Sequence, residues 1–242
     1  MTVTQTKGVP IAPPHKAFVR TSVGHKVLMA LSGMALFGFV VGHMIGNLQI
    51  FLGQDQLNTY AQALKNMPEL TWVARSLVLL AVLIHIWNGI RLWLENRASR
   101  PIGYTRNDTV QASLASRTMI WTGLSVLLYV VYHLLHFTWI TTNPQYANLH
   151  DAMGRHDVYS MVVMGFQNPL ISAAYIVAMG LIAYHLSHAV FSLLQTLGLN
   201  NPQVQPWLKR IVNLIAVVVF IGYVSMPIAV LAGIINLPGG GH

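Results

Sequence analysis

The chain has 242 residues, of which 54% are hydrophobic and only 8% are charged, with a formal net charge of +8. Soluble domains carry about 25% charged residues, so this composition excludes an ordinary soluble domain. The absence of cysteine excludes disulfides, thiolate-held iron–sulfur clusters and c-type haem attachment within the chain. The basic residues flank apolar segments and form no continuous face, which indicates membrane-flanking charge and no nucleic-acid partner.

Five apolar segments each approach the roughly 20 residues that a helix needs to cross a bilayer. They cover about 27–50, 72–93, 119–140, 169–194 and 211–235. Backbone groups in lipid must pair within their own segment, so we expect helices; the alternating segments of a β-barrel are not present. The predicted fold class is an all-α integral membrane bundle of five transmembrane helices. It comprises an N-terminal arm (1–26), a transmembrane domain (27–235) and a short C-terminal tail (236–242).

Lysine and arginine predict the orientation of the bundle. The N-terminal arm and the second and fourth loops, with their flanks, hold eleven of these residues, whereas the first and third loops, with their flanks, hold three. Because positive charge concentrates on the cytoplasmic side, we expect a cytoplasmic N-terminus and a C-terminus outside. The first span has no small-residue cleavage site near its end, so it is expected to be retained as an anchor.

Four of the five spans contain histidine. The first two hold His43 and His85, and the third and fourth carry the echoing motifs "YHLLH" and "YHLSH" with His133, His136, His185 and His188. One reading is that each imidazole only hydrogen-bonds a neighbouring helix. Ionisable side chains within spans usually mark a functional site, and their recurrence on four consecutive spans favours function.

The expected depth of these histidines in the membrane groups four of them into two pairs. His43, His85, His133 and His185 each lie a few residues past the midpoint of their own span. Successive spans run in opposite directions, so His43 should share one level with His133 and His85 should share another with His185. At 1.5 Å per residue the two levels would lie roughly 10–15 Å apart.

Paired neutral imidazoles from two helices fit the axial positions of a b-type haem. Glycines along the first three spans (Gly33, Gly38, Gly42, Gly46, Gly89 and Gly123) would leave room for a flat macrocycle, although close helix packing explains them equally well. A di-iron or zinc site would need carboxylates or a richer histidine cluster at one level. None of the five predicted spans contains Asp or Glu.

The same segments resemble a known family. "GHKVLMALSGMALFGFVVGHMIGNLQIF", "LIHIWNGIRLW", "SRTMIWTGLSVLLYVVYHLLHFTW" and "AYHLSHAVFSLLQTLGLN" are similar to the first four helices of a bacterial anchor subunit. This is the five-helix, di-haem cytochrome b subunit of succinate:quinone oxidoreductase and quinol:fumarate reductase, the complex II family. The likeness runs from about residue 24 to residue 209.

The resemblance implies one axial haem ligand on each of the first four helices, with the first helix paired to the third and the second to the fourth. Alignment selects His133 over His136 and His185 over His188. His136 and His188 would then hydrogen-bond a haem propionate or a quinone, or lie at the membrane interface in contact with water. Further candidates for propionate or quinone contacts are His25, Ser32, Arg75, Arg91 and Arg117.

The implied function is that of an anchor in the bacterial cytoplasmic membrane, with two b haems. It would pass electrons between a partner iron–sulfur subunit and a quinone, expected to be menaquinone. A flavoprotein and the iron–sulfur protein would dock on the cytoplasmic face near Arg97, Arg100, Arg106, Lys209 and Arg210, carrying the FAD and the clusters. Succinate dehydrogenase is the first expectation; the alternatives are fumarate reductase, the cytochrome b anchor of another quinone-linked dehydrogenase, and a non-enzymatic membrane protein with histidine relay sites.

Overall fold

The computed structural model describes residues 21–99 and 114–239, which form seven α-helices and no β-strand. In chain order they are α1 (Ser22–Asn47), α2 (Gln54–Lys65), α3 (Pro68–Ala98), α4 (Leu114–His133), α5 (Val158–Gln167), α6 (Pro169–Thr196) and α7 (Gln205–Leu231). Short 3₁₀ turns lie at Leu48–Leu52 and Pro144–Asn148, and α4 continues as a π-helical turn, Leu134–Thr138. The all-α prediction is confirmed.

Five of these helices are long and apolar enough to cross a membrane: Ser22–Leu52, Pro68–Ala98, Arg117–Thr138, Pro169–Thr196 and Gln205–Leu231. They correspond to the five predicted spans. The first begins inside the predicted arm, because the Thr21 hydroxyl accepts a hydrogen bond from Gly24 N–H and caps the helix. Large apolar side chains on the spans are exposed, for example Trp87 at 68%, as a lipid-facing surface requires. Most of the predicted arm, Arg100, Arg106 and residues 240–242 lie outside the described residues.

The four histidine-bearing helices form a ring. Helix α1 packs against α3 and α6, α4 packs against α6, and a smaller contact joins α3 to α4. Helix α7 packs outside this ring, mainly on α6. The helices α1 and α4 therefore face each other across one diagonal of the ring, and α3 and α6 face each other across the other.

One end of the ring is covered by the segments between the spans. Helix α2, the 144–148 turn and α5 fold over it, and a hydrophobic core forms there around Ile50, Leu57, Val163, Phe166 and Met226. We call this the capped end. The opposite end carries most of the described Lys and Arg residues that flank the spans, namely Lys26, Arg91, Arg97, Arg117, Lys209 and Arg210, and we call it the basic end. The sequence predicted a loop where α2 lies and assigned no element to residues 158–168, where α5 lies.

A polar network holds the cap together. Asn58 on α2 is fully buried and donates hydrogen bonds to Asp157 (2.9 Å) and Asp151 (3.1 Å). Its carbonyl accepts from the Tyr159 N–H at the start of α5. Arg155 forms ion pairs with Asp151 and Asp55. Burial alone would raise the pKa of Asp151, but the hydrogen bonds from Arg155, Asn58 and Met153 N–H lower it to about 2.

Candidate cofactor-binding site

The capped-end level contains the first histidine pair. His43 on α1 and His133, the last residue of α4, approach across the ring with their ring centroids 5.8 Å apart and their planes at 79°. His43 stacks on Phe39, one turn earlier, at 5.4 Å. The residues that depth and the resemblance matched are therefore neighbours in space.

The basic-end level contains the second pair. His85 on α3 and His185 on α6 have ring centroids 6.3 Å apart and planes at 62°. Glycines on the neighbouring helices lie next to these rings: a Cβ on Gly33 would come 3.4 Å from His85 Cε1, and one on Gly123 would come 3.6 Å from His185 Cε1. Each pair thus spans one diagonal of the helix ring.

The separation within each pair fits two imidazoles bound to one metal. An imidazole nitrogen binds a transition metal at about 2 Å and lies roughly 1 Å from its ring centre, so two opposed ligands have centroids about 6 Å apart. Both observed separations, 5.8 Å and 6.3 Å, agree with this value. Among the described residues no group of three or more His, Cys, Asp or Glu side chains could hold a metal ion. The donor set therefore suits bis-imidazole ligation.

Hydrogen bonds orient the basic-end imidazoles. The Ser32 hydroxyl donates its single proton to the carbonyls of Leu28 (2.7 Å) and Met29 (3.1 Å). Since this proton is used, the Ser32 oxygen can only accept in its 3.4 Å contact with His85 Nδ1, and the imidazole N–H is the donor. We therefore assign the proton of His85 to Nδ1, and this assignment leaves the lone pair on Nε2 for a metal.

The same arrangement recurs at His185. The Thr122 hydroxyl donates to the Met119 carbonyl (3.1 Å) and accepts from His185 Nδ1–H (3.2 Å). Ser32 precedes His43 by eleven residues, and Thr122 precedes His133 by eleven. Eleven residues are close to three helical turns and rise about 16 Å. Helices α1 and α4 thus each present, on one face, a ligand for one level and a hydroxyl support for the other.

The capped-end pair has a different support. Tyr175 on α6 lies with its hydroxyl 3.5 Å from His133 Nδ1 and 3.0 Å from His136 Nδ1. His136, in the π-helical turn, is 0% exposed. The expectation that His136 contacts water at the membrane interface is therefore wrong: the cap, through Tyr146 and α5, covers it.

The remaining candidates lie nearer the basic end or on the surface. His188 is partly buried, with Nε2 3.1 Å from the Ser192 hydroxyl. His25 is 9% exposed, and its Nδ1 lies 2.8 Å from the side-chain oxygen Oδ1 of Asn88. The three arginines are exposed: Arg75 covers Trp72, Arg91 pairs with Glu95, and Arg117 begins the third span.

Three residues of the site were missed from the sequence: Thr122, Tyr175 and Asn88. For Thr122 a signal existed, since it shares a helix face with His133 and repeats the spacing of Ser32 to His43. For Tyr175 and Asn88 there was none, because their partners His136 and His25 are on other helices, 39 and 63 residues away in the chain.

Part of the chain is similar to a known protein family. Residues 13–106 match the family model described as the succinate dehydrogenase/fumarate reductase transmembrane subunit. The match covers α1 and α3 and therefore one histidine of each pair, His43 and His85. No curated protein and no solved structure matches the chain. The match supports a multi-pass membrane subunit of the complex II type.

Proposed function

We propose that the chain is the haem-carrying membrane anchor of a succinate dehydrogenase, which passes electrons between a partner iron–sulfur subunit and quinone. The observation that carries the proposal is that the imidazoles face each other in two pairs, His43 with His133 and His85 with His185. The separation within each pair suits two ligands of one iron. The family match in the first half of the chain supports the same role. The equivalent role in a fumarate reductase is the alternative, because the matched family includes both enzymes.

The four histidines would hold two b haems, one at each level. A haem held in this way supplies a one-electron carrier in the apolar interior. The chain's own residues set its position: helices α1 and α4 provide one couple and α3 and α6 the other. Ser32 and Thr122, through their contacts with Nδ1, would orient the basic-end imidazoles and leave Nε2 to bind the iron.

His25 is the proposed quinone contact at the basic end. The side-chain Nδ2–H of Asn88 donates to the backbone carbonyl of Ile84 (2.7 Å). This leaves the side-chain oxygen Oδ1 of Asn88 to accept a hydrogen bond from His25 Nδ1–H. With Nδ1–H donated to Asn88, Nε2 of His25 would accept a hydrogen bond from a quinol hydroxyl. Menaquinone is the expected quinone.

The basic end is the proposed docking face for the flavoprotein and iron–sulfur subunits. Arg97, Lys209 and Arg210 lie there, each packed over an aromatic ring at 5.3–5.5 Å. Such cation–aromatic groups are typical of the membrane interface. The FAD and the clusters would be in the partners, since this chain has no cysteine. The proposed location is the bacterial cytoplasmic membrane, with this face toward the cytoplasm.

Co-purification on an affinity tag tests the proposal. We expect a flavin-bearing and an iron–sulfur subunit, succinate:quinone activity, and two haems per chain by the pyridine haemochrome assay. Single replacement of His43, His85, His133 or His185 by alanine should remove one haem. His188→Ala is the matched control and should retain both.

Two results would contradict the proposal. A purified chain without haem would eliminate the electron-transfer role and leave a membrane protein with histidine relay sites. Loss of a haem in His136→Ala together with retention of both haems in His133→Ala would show that the ligand in the third span is misassigned.

A further inference from the structure

We propose that Tyr175 and His136 form a positioning pair that acts on His133 and tunes the capped-end haem alone. The inference rests on the haem ligation proposed above. It concerns residues that do not touch the iron and that act through the ligand His133.

The Tyr175 hydroxyl lies between the two histidines. Tyr175 is 5% exposed, and its oxygen is 3.0 Å from His136 Nδ1 and 3.5 Å from His133 Nδ1. A phenol has one proton and can donate to only one of them. The shorter contact is assigned to donation to His136, so the longer one is a hydrogen bond donated by His133 Nδ1–H to the phenol oxygen. This assignment leaves His133 Nε2 for the iron, as in the basic-end pair.

Aromatic side chains surround His136 and leave its Nδ1 in contact with the Tyr175 hydroxyl. Its ring stacks on Phe137 at 3.9 Å and contacts Tyr132 at 5.5 Å. With Nδ1 as acceptor, its proton is on Nε2, which is buried without a hydrogen-bond partner among the described residues. Buried polar groups normally have hydrogen-bond partners, so the unpaired N–H of His136 costs stability. This cost indicates that the imidazole is required for its other nitrogen. That nitrogen is the acceptor Nδ1.

The backbone around His136 departs from an ordinary helix. His136 lies in the π-helical turn Leu134–Thr138, and Ile140 follows with φ of 53°. π-helical turns occur frequently at functional sites, and a positive φ at a β-branched residue is strained. This local geometry places two histidines, three residues apart in the chain, on the same phenol oxygen.

The basic-end pair is supported differently. There the supporting hydroxyls of Ser32 and Thr122 pass their protons to backbone carbonyls of their own helices. Among the residues that the structure describes, an aromatic hydroxyl backed by a second imidazole occurs at the capped-end pair and not at the basic-end pair. Donation from Nδ1–H makes an axial imidazole more basic, which stabilises the oxidised iron, so losing the acceptor should raise the midpoint potential of that haem.

Redox titration of the intact purified complex, followed optically, tests the inference. The capped-end haem is identified as the one that His43→Ala removes. We expect Tyr175→Phe to raise the midpoint potential of that haem and to leave the other unchanged. Tyr129→Phe is the matched control: its ring packs against both His133 and Tyr175, but its hydroxyl makes no hydrogen bond within the described residues.

A second pair of variants tests His136 and does not depend on the stability of Tyr175→Phe. Gln retains an acceptor for the Tyr175 hydroxyl and Leu does not, and the two side chains have similar volumes. His136→Leu should therefore shift the capped-end potential, and His136→Gln should stay near the parent value. Equal shifts in these two variants, equal shifts of both haems, or no shift in Tyr175→Phe would overturn the inference. A complex without haem would overturn the proposed function instead.

Discussion

Replacement of Asn58 by alanine is expected to loosen the capped end of the bundle. The side chain is fully buried and makes three hydrogen bonds: to Asp157, to Asp151 and from Tyr159 N–H. Both carboxylates retain other donors, Gln54 and Arg155 among them, whereas the Tyr159 N–H loses its partner. At about 1 kcal/mol per bond, and more where a charge is involved, the local cost is about 2–4 kcal/mol.

Hydrogen exchange of two amides in the first turn of α5, Ser160 and Met161, measures this cost. A loss of 2–4 kcal/mol corresponds to exchange roughly 30-fold to 1,000-fold faster. Asn58→Asp keeps the shape but places a third carboxylate beside Asp151 and Asp157. It should exchange faster still at pH 7 and recover part of its protection on mild acidification.

Gln62→Ala is the control for this prediction. Gln62 is also on α2, but within the described residues its side-chain amide hydrogen-bonds only the exposed Asn66. It should leave the α5 amides unchanged. Wild-type exchange in Asn58→Asp at pH 7 would refute the view that buried polar contacts hold the cap in place.

Three further predictions concern packing, ligand orientation and pH. A Cβ on Gly165 would lie 2.9 Å from the Phe137 ring, so Gly165→Ala should destabilise the protein by about 1–3 kcal/mol and lower its Tm in calorimetry. Gly180→Ala should not lower the Tm, because the nearest atom to its added Cβ, on Phe220, would be 3.8 Å away. Ser32→Ala should raise the potential of the haem that His85→Ala removes, while Ser32→Thr should not, by optical redox titration. The pKa of Asp151 is lowered from 3.8 to about 2, so its contribution to stability should persist above about pH 4 and be lost between pH 4 and 2, by thermal unfolding across that range.

The sequence alone determined the spans and the levels of the histidines. A bilayer imposes a minimum apolar length and penalises charge, so five runs of hydrophobic residues predict five crossing helices directly. Antiparallel succession then converts each histidine's distance from its span centre into a depth. His43 and His133 could be matched in this way, as could His85 and His185, before any packing was known.

Only the tertiary structure decided what surrounds those histidines. The ring order that sets α1 opposite α4 depends on side-chain packing between helices far apart in the chain, which hydropathy does not encode. The cap formed by α2 and α5 has the same origin, since Asn58 finds its partners about 100 residues away. Burial of His136 follows from that cap. Local patterns predict helices and depths, whereas contacts between distant segments place Tyr175 between two imidazoles.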